Sequence, residues 1–121
     1  MAGLPDLGKI GENLAAEYLK NKGYVILKRN WRSGMNEVDI IAENNEYIVF
    51  AEVKTRSEDF IMDPITAVTK EKQRILIHLA DNYIRRFNVS KECRFDVIRV
   101  IKKENDFEID HIENAFYPTL R

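Results

Sequence analysis

The run Tyr47-Ile48-Val49-Phe50-Ala51-Glu52-Val53-Lys54 constrains this chain more than any other stretch. Strand side chains alternate between faces, which sets Ile48, Phe50, Glu52 and Lys54 on one side and Tyr47, Val49, Ala51 and Val53 on the other. Apolar residues on both sides mark a central strand covered on each face. A carboxylate and an ammonium in such a place are expensive, because an unpaired charge taken out of water is strongly disfavoured. Something must compensate them.

The preceding strand adds a second acid. Over Glu37–Ala42, alternation sets Glu37, Asp39 and Ile41 on one face and Val38, Ile40 and Ala42 on the other. A hairpin turning on Asn44-Asn45 pairs Ile41 with Ile48, Asp39 with Phe50 and Glu37 with Glu52. Asp39 and Glu52 are then diagonal neighbours on one face, roughly 7 Å apart at the backbone. Like charges that close raise each other's pKa, and a shared hard cation relieves the conflict. Magnesium or manganese suits such a pair, keeping several waters and leaving room for a phosphate oxygen. Lys54, on the same face as Glu52, reaches the same phosphate, so the chemistry indicated is phosphodiester hydrolysis.

The rest of the chain frames this pair. Residues 6–21 carry Ile10, Leu14, Ala15, Tyr18 and Leu19 at helical spacing, and Gly23 stops the helix. Tyr24–Trp31 predicts a strand, Arg32–Asn36 a polar loop, and Glu46–Thr55 the central strand already described. Residues 56–63 form an irregular loop. Asp63-Pro64 predicts a helix start, with the helical pattern running to about Phe87 and interrupted near Thr69, a second capping residue. Arg94–Lys102 and Asp106–Ile112 are late strands around Lys103-Glu104-Asn105. The order αβββαββ predicts one α/β domain over residues 1–121, a central mixed sheet flanked by helices.

On the first helix Glu12 lies at the margin of the apolar stripe, beside Ala16 and Leu19. Two readings stand there: a carboxylate reaching the sheet edge, or a solvated glutamate near a helix N-terminus that favours acids. On the long helix Lys72 falls within the stripe of Val68, Ile75, Leu76, Leu79 and Tyr83, where it either snorkels outward or meets phosphate.

Glu-x-Lys alone is a common tripeptide; it becomes specific together with Asp39 upstream and Glu12 on the helix. In that combination the chain resembles the PD-(D/E)xK signature of the restriction-endonuclease-like fold, and its order is similar to archaeal Holliday junction resolvases. Over residues 11–33, 37–42, 50–56, 67–75 and 94–98 it resembles the YraN-like family of uncharacterised bacterial proteins, described as candidate endonucleases. The resemblance implies metal binding by Asp39 and Glu52, a catalytic lysine at Lys54, a helix glutamate at Glu12, and helix positions Lys72 and Gln73 facing nucleic acid. Three departures stand out: Asn36 where the family has glycine, no glycine in Phe60–Pro64, and Val38 in place of the signature's proline.

Arg32 and Arg56, from the basic clusters of the two halves, complete the candidate nucleic-acid contacts. Trp31 either stacks on nucleic acid or anchors its loop to the core. His78 and His111 read as isolated, Cys93 as structural, and Asp96 as a further site member or an arginine's partner.

Composition bounds the function. A net charge of −1 gives no overall basic excess, so nucleic-acid binding must come from local clusters. One cysteine, no leader-like start and no long apolar run predict a cytoplasmic protein with no membrane association. The expected function is a Mg2+- or Mn2+-dependent endonuclease acting on DNA at branched or damaged structures. The alternatives are a non-catalytic nucleic-acid-binding or scaffold protein of the same fold, and a protein-interaction role. A homodimer is expected at the level of the family, since symmetric duplex cutting uses two sites. The roles of Glu37 and Asp96 are left open.

Overall fold

The computed structural model describes residues 6–58 and 68–117. Elements follow in the order α1 (Leu7–Asn21), β1 (Val25–Ser33), β2 (Asn36–Glu43), β3 (Tyr47–Ser57), α2 (Lys70–Arg86), β4 (Glu92–Lys102) and β5 (Phe107–Phe116), the expected αβββαββ. The strands form one five-stranded sheet in chain order, parallel between β3 and β4 and antiparallel elsewhere. The β3-to-β4 connection carries α2, as a parallel pair requires a crossover.

Each helix begins on a side-chain cap. Asp6 accepts from the Gly8 amide at 3.0 Å, and Thr69 accepts from the Lys72 amide at 3.1 Å. The second capping residue therefore opens α2; the helix start expected at Asp63-Pro64 and the loop Phe60–Pro64 lie outside the described residues.

The central strand is covered on both sides, as its composition requires. Ile48 and Phe50 pack with Leu76, Leu79 and Tyr83 of α2 on one face. Val49 and Ala51 pack with Ala15, Ala16 and Leu19 of α1 on the other. No helix among the described residues is long and apolar enough to cross a membrane.

Several boundaries differ from expectation: β3 runs on to Ser57, taking Arg56 and Ser57 from the expected loop into pairing with Ile101 and Lys102, and β4 begins at Glu92. Arg32 and Ser33 belong to β1, paired with Glu37 and Asn36, so the polar loop shrinks to the turn Gly34-Met35. Gly34 supplies the φ of +64° that so tight a turn needs. Strand β5 runs on to Phe116, through a register break between Phe95 and Val97. Asn114 turns left-handed there, φ +54°, and its amide is taken by the Asp96 carboxylate at 3.0 Å.

Candidate metal centre where β2 leaves β3

The hairpin register differs from the expected one by two residues. Ile41 pairs with Phe50 and Ile40 with Ala51, instead of Ile41 with Ile48. The cause is the turn. Asn44 Oδ1 accepts from the amides of Glu46 and Tyr47 at 2.9 and 2.7 Å, and the Asn44 amide donates to the Tyr47 carbonyl at 3.0 Å. This side-chain-closed turn spans Asn44–Tyr47 and slides the pairing along β3. An even shift preserves faces. Continued one step, the observed register sets Asp39 directly across from Glu52, not diagonal to it and not opposite Phe50.

That step is also where β2 departs from β3. Pairing with β3 ends at Ile40, whereas pairing with β1 continues through Val38, Glu37 and Asn36. The amide of Val53 donates instead to Asp39 Oδ2 at 2.8 Å. Facing Asp39 on β1, between the paired positions Arg29 and Trp31, Asn30 adopts φ +52°. The expected alternation fails here: Ile40 packs in the α1-side core, while Val38 packs with Ile41 in the α2-side core. A left-handed residue rotates the ribbon, and asparagine tolerates that conformation better than other side chains with a Cβ.

Burial, the negative charge of Glu52 and that of Glu12 push the Asp39 carboxyl up to about 7, against the opposing hydrogen bond from Val53. Glu52 is 5% exposed. Its Oε2 lies 3.4 Å from Lys54 Nζ, while Oε1 is buried without a hydrogen-bond partner. A buried carboxylate oxygen left unpaired is costly and calls for a ligand.

Glu12 comes in from α1. Arg29 Nη2 stands 3.8 Å from Glu12 Oε1 and donates to Asn13 Oδ1 at 2.7 Å, tying the helix to β1. Gly11 permits this approach: a Cβ there would lie 1.9 Å from Thr55 Oγ1, one residue beyond Lys54. Glu12 is half-buried, and its charge contributes to raising the Asp39 carboxyl.

The donor set fits a hard divalent cation. Two facing carboxylates offer oxygen ligands, and an orphaned oxygen and a carboxyl held half-protonated near neutrality both gain from a bound charge. Among the described residues no three His, Cys, Asp or Glu side chains converge to hold a metal, so water would complete the coordination.

The remaining expected contacts divide. Arg32 is exposed and donates to Glu37 Oε1 across the ribbon at 2.6 Å. Arg56 donates to the Thr55 carbonyl at 2.8 Å. Lys72 is half-buried, one turn from Leu76, and Gln73 Nε2 donates to the Val68 carbonyl at 3.0 Å, a structural contact inside its own helix start. Trp31 anchors to the core, edge-on to Tyr83 with ring centroids 5.2 Å apart.

His78 is exposed. His111 is not isolated. Its Nε2 lies 2.7 Å from Asp96 Oδ2, and Nδ1 lies 3.2 Å from the Tyr18 hydroxyl. Arg94 donates to both Asp96 oxygens, at 2.9 and 2.8 Å, so Asp96 is an arginine's partner on the α1 side of the sheet. Cys93 is half-buried, and burial pushes its thiol up to about 12, which keeps it from acting as a thiolate near neutrality.

Sequence reasoning missed Asn30, Gly11 and Arg29. The first two carried a signal: an asparagine inside a strand-forming run, and a glycine in a helix interior, where it weakens the helix unless close packing requires it. Arg29 carried none, because its partners sit on another element.

Residues 11–100 match the family described as "Uncharacterised protein family UPF0102". A UPF0102 protein of Parabacteroides distasonis is 46% identical over 121 residues, covering 100% of both chains. One of Bacteroides fragilis is 47% identical over 114 residues, 94% of each chain. One of Alkaliphilus oremlandii is 45% identical over 113 residues, 91% of this chain and 97% of its own. The chain therefore belongs to the UPF0102 family, the YraN-like group its motifs resemble.

Proposed function

We propose that this chain is a metal-dependent endonuclease of the restriction-endonuclease-like PD-(D/E)xK class, hydrolysing phosphodiester bonds of DNA at branched or damaged structures. One observation carries the reading: the Asp39 carboxyl, one step beyond the last β2–β3 pair, is raised by burial and the neighbouring Glu52 charge, with Lys54 Nζ 3.4 Å from Glu52 and a buried Glu52 oxygen lacking a partner. A magnesium or manganese ion held by Asp39 and Glu52 would polarise a phosphate oxygen and activate a water. The Val53 amide fixes one oxygen of Asp39. Asp39 must release its proton to act as a ligand, and the bound charge would favour that release. Lys54 orients the attacking water or donates to a non-bridging phosphate oxygen as negative charge builds there. Glu12 adds a third carboxylate at longer range, restrained by Arg29.

The test is cleavage of single-stranded, duplex, flapped and four-way-junction DNA with magnesium or manganese, with Asp39→Ala alongside. Cleavage that needs both the metal and Asp39 supports the reading; equal cleavage by both proteins overturns it.

A second reading, a non-catalytic nucleic-acid-binding protein, rests on the exposed basic residues Lys28, Arg85 and Arg86 rather than on the carboxylates. Salt-sensitive binding indifferent to metal and to Asp39→Ala, without cleavage of any substrate, would distinguish it.

A further inference from the structure

We propose that the C-terminal end of α2 is a stacking platform for an unpaired nucleobase, centred on Phe87 and flanked by Lys28, Arg85 and Arg86. Phe87 is the C-cap of α2 and is 45% exposed, although it is a large apolar side chain. Its ring is held in place. It lies 4.5 Å, centroid to centroid, from Tyr83, which meets both Trp31 at 5.2 Å and Phe50 at 5.8 Å. A ring fixed from beneath loses little freedom when a base settles on it, which is the condition for low-cost stacking.

The surroundings select the partner. Lys28 Nζ lies 6.0 Å from the Phe87 centroid and the Arg86 guanidinium 5.4 Å. Arg85 is 79% exposed and shares its charge with Asp81 at 3.1 Å, leaving the patch basic. An aromatic ring set among cations matches a base with its flanking phosphates. A cation over an exposed ring is held by about 0.5–1 kcal/mol. An incoming base displaces it easily, and the freed ammonium or guanidinium then meets phosphate. A base inside a duplex is stacked on both sides, so the platform takes single-stranded or extruded nucleotides. The platform needs neither metal nor Asp39 and stands independently of the hydrolytic reading.

The experiment is fluorescence anisotropy of a labelled oligothymidylate in chelator, at low and moderate salt. Wild type binds, more weakly as salt rises. Phe87→Leu keeps apolar packing on Tyr83 but removes the π face, and lowers affinity about 5- to 150-fold, the range that loss of one base–aromatic stack spans. Phe87→Tyr retains binding, and Lys28→Gln reduces the salt dependence. Equal affinity in Phe87→Leu and wild type overturns the proposal. So does an absence of oligonucleotide binding at low salt, equally tight binding to blunt, fully paired duplex, or Phe87-dependent capture of phosphatidylserine vesicles without oligonucleotide binding.

Discussion

Asn30 faces Asp39 across the β1–β2 ladder, and Asn30 is left-handed, with φ +52°. The rung at which the ribbon twists is thus the rung that presents the carboxylate to Glu52. Side chains with a Cβ resist this backbone by roughly 1–2 kcal/mol, asparagine less and glycine not at all. Asn30→Gly is expected to leave stability and manganese affinity close to wild type. Asn30→Val is expected to lose about 1–2 kcal/mol and to weaken manganese binding. Denaturant unfolding and a metal titration, read together, check this; unchanged metal affinity in Asn30→Val would sink the link.

Asp39 also makes stability depend on pH in a distinctive direction. Its carboxyl stands at about 7 in the fold against 3.8 ordinarily, raised by burial and by Glu52. Between those values the folded state keeps a proton that the unfolded state has lost, so this group's contribution falls as pH rises from about 4 to 7. The metal-free wild type should lose stability relative to Asp39→Asn across that window, by at most about 4 kcal/mol. Saturating magnesium at pH near 8 should raise the wild-type Tm and leave the variant's unmoved. A stability difference that is flat with pH would contradict the assignment.

Gly11 reports on the approach of α1 to the site. Gly11→Ala places a methyl 1.9 Å from Thr55 Oγ1 and 2.9 Å from its Cβ and Cγ2. Overpacking of this kind costs about 1–3 kcal/mol, against a gain of up to about 1 kcal/mol in helix propensity. Net destabilisation is expected, with partial rescue by Thr55→Ala, which removes two of the three contacts. A thermodynamic cycle of the four proteins measures the coupling, and additive effects would show that the helix simply moves away.

The Asp96 network should fail in acid rather than base. Burial opposes ionisation of Asp96, but hydrogen bonds from His111, Arg94 and the Asn114 amide outweigh it and hold the carboxyl below its ordinary value. That stability is present above the unfolded carboxyl's pKa of 3.8 and is lost as pH falls through the lower folded value. Asp96→Ala strands the buried Arg94 and is expected to cost about 3–5 kcal/mol. Asp96→Asn should lose less, and both should blunt the acid dependence seen in urea unfolding below pH 4.

Much of this arrangement was legible beforehand because it depends on local periodicity. The faces of Ile48, Phe50, Val49 and Ala51, the capping role of Thr69 and the element order follow from the alternation of strands, the stripes of helices and the chemistry of caps. Glu52 and Lys54 share a face wherever the strand is placed, so their association needed no tertiary information.

Tertiary structure decided which residues meet across elements. The Asn44 side chain, by closing a longer turn, chose Glu52 rather than Phe50 as the residue across from Asp39; parity alone allows either. The left-handed Asn30 separated Val38 from Ile40, a break that strict alternation does not contain. His111 gained Asp96 through the β4–β5 pairing, and Tyr18 because α1, remote in the chain, packs against those strands. Period and parity belong to neighbouring bonds, whereas register and long-range pairing depend on turn hydrogen bonds and packing that a run of residue types does not encode.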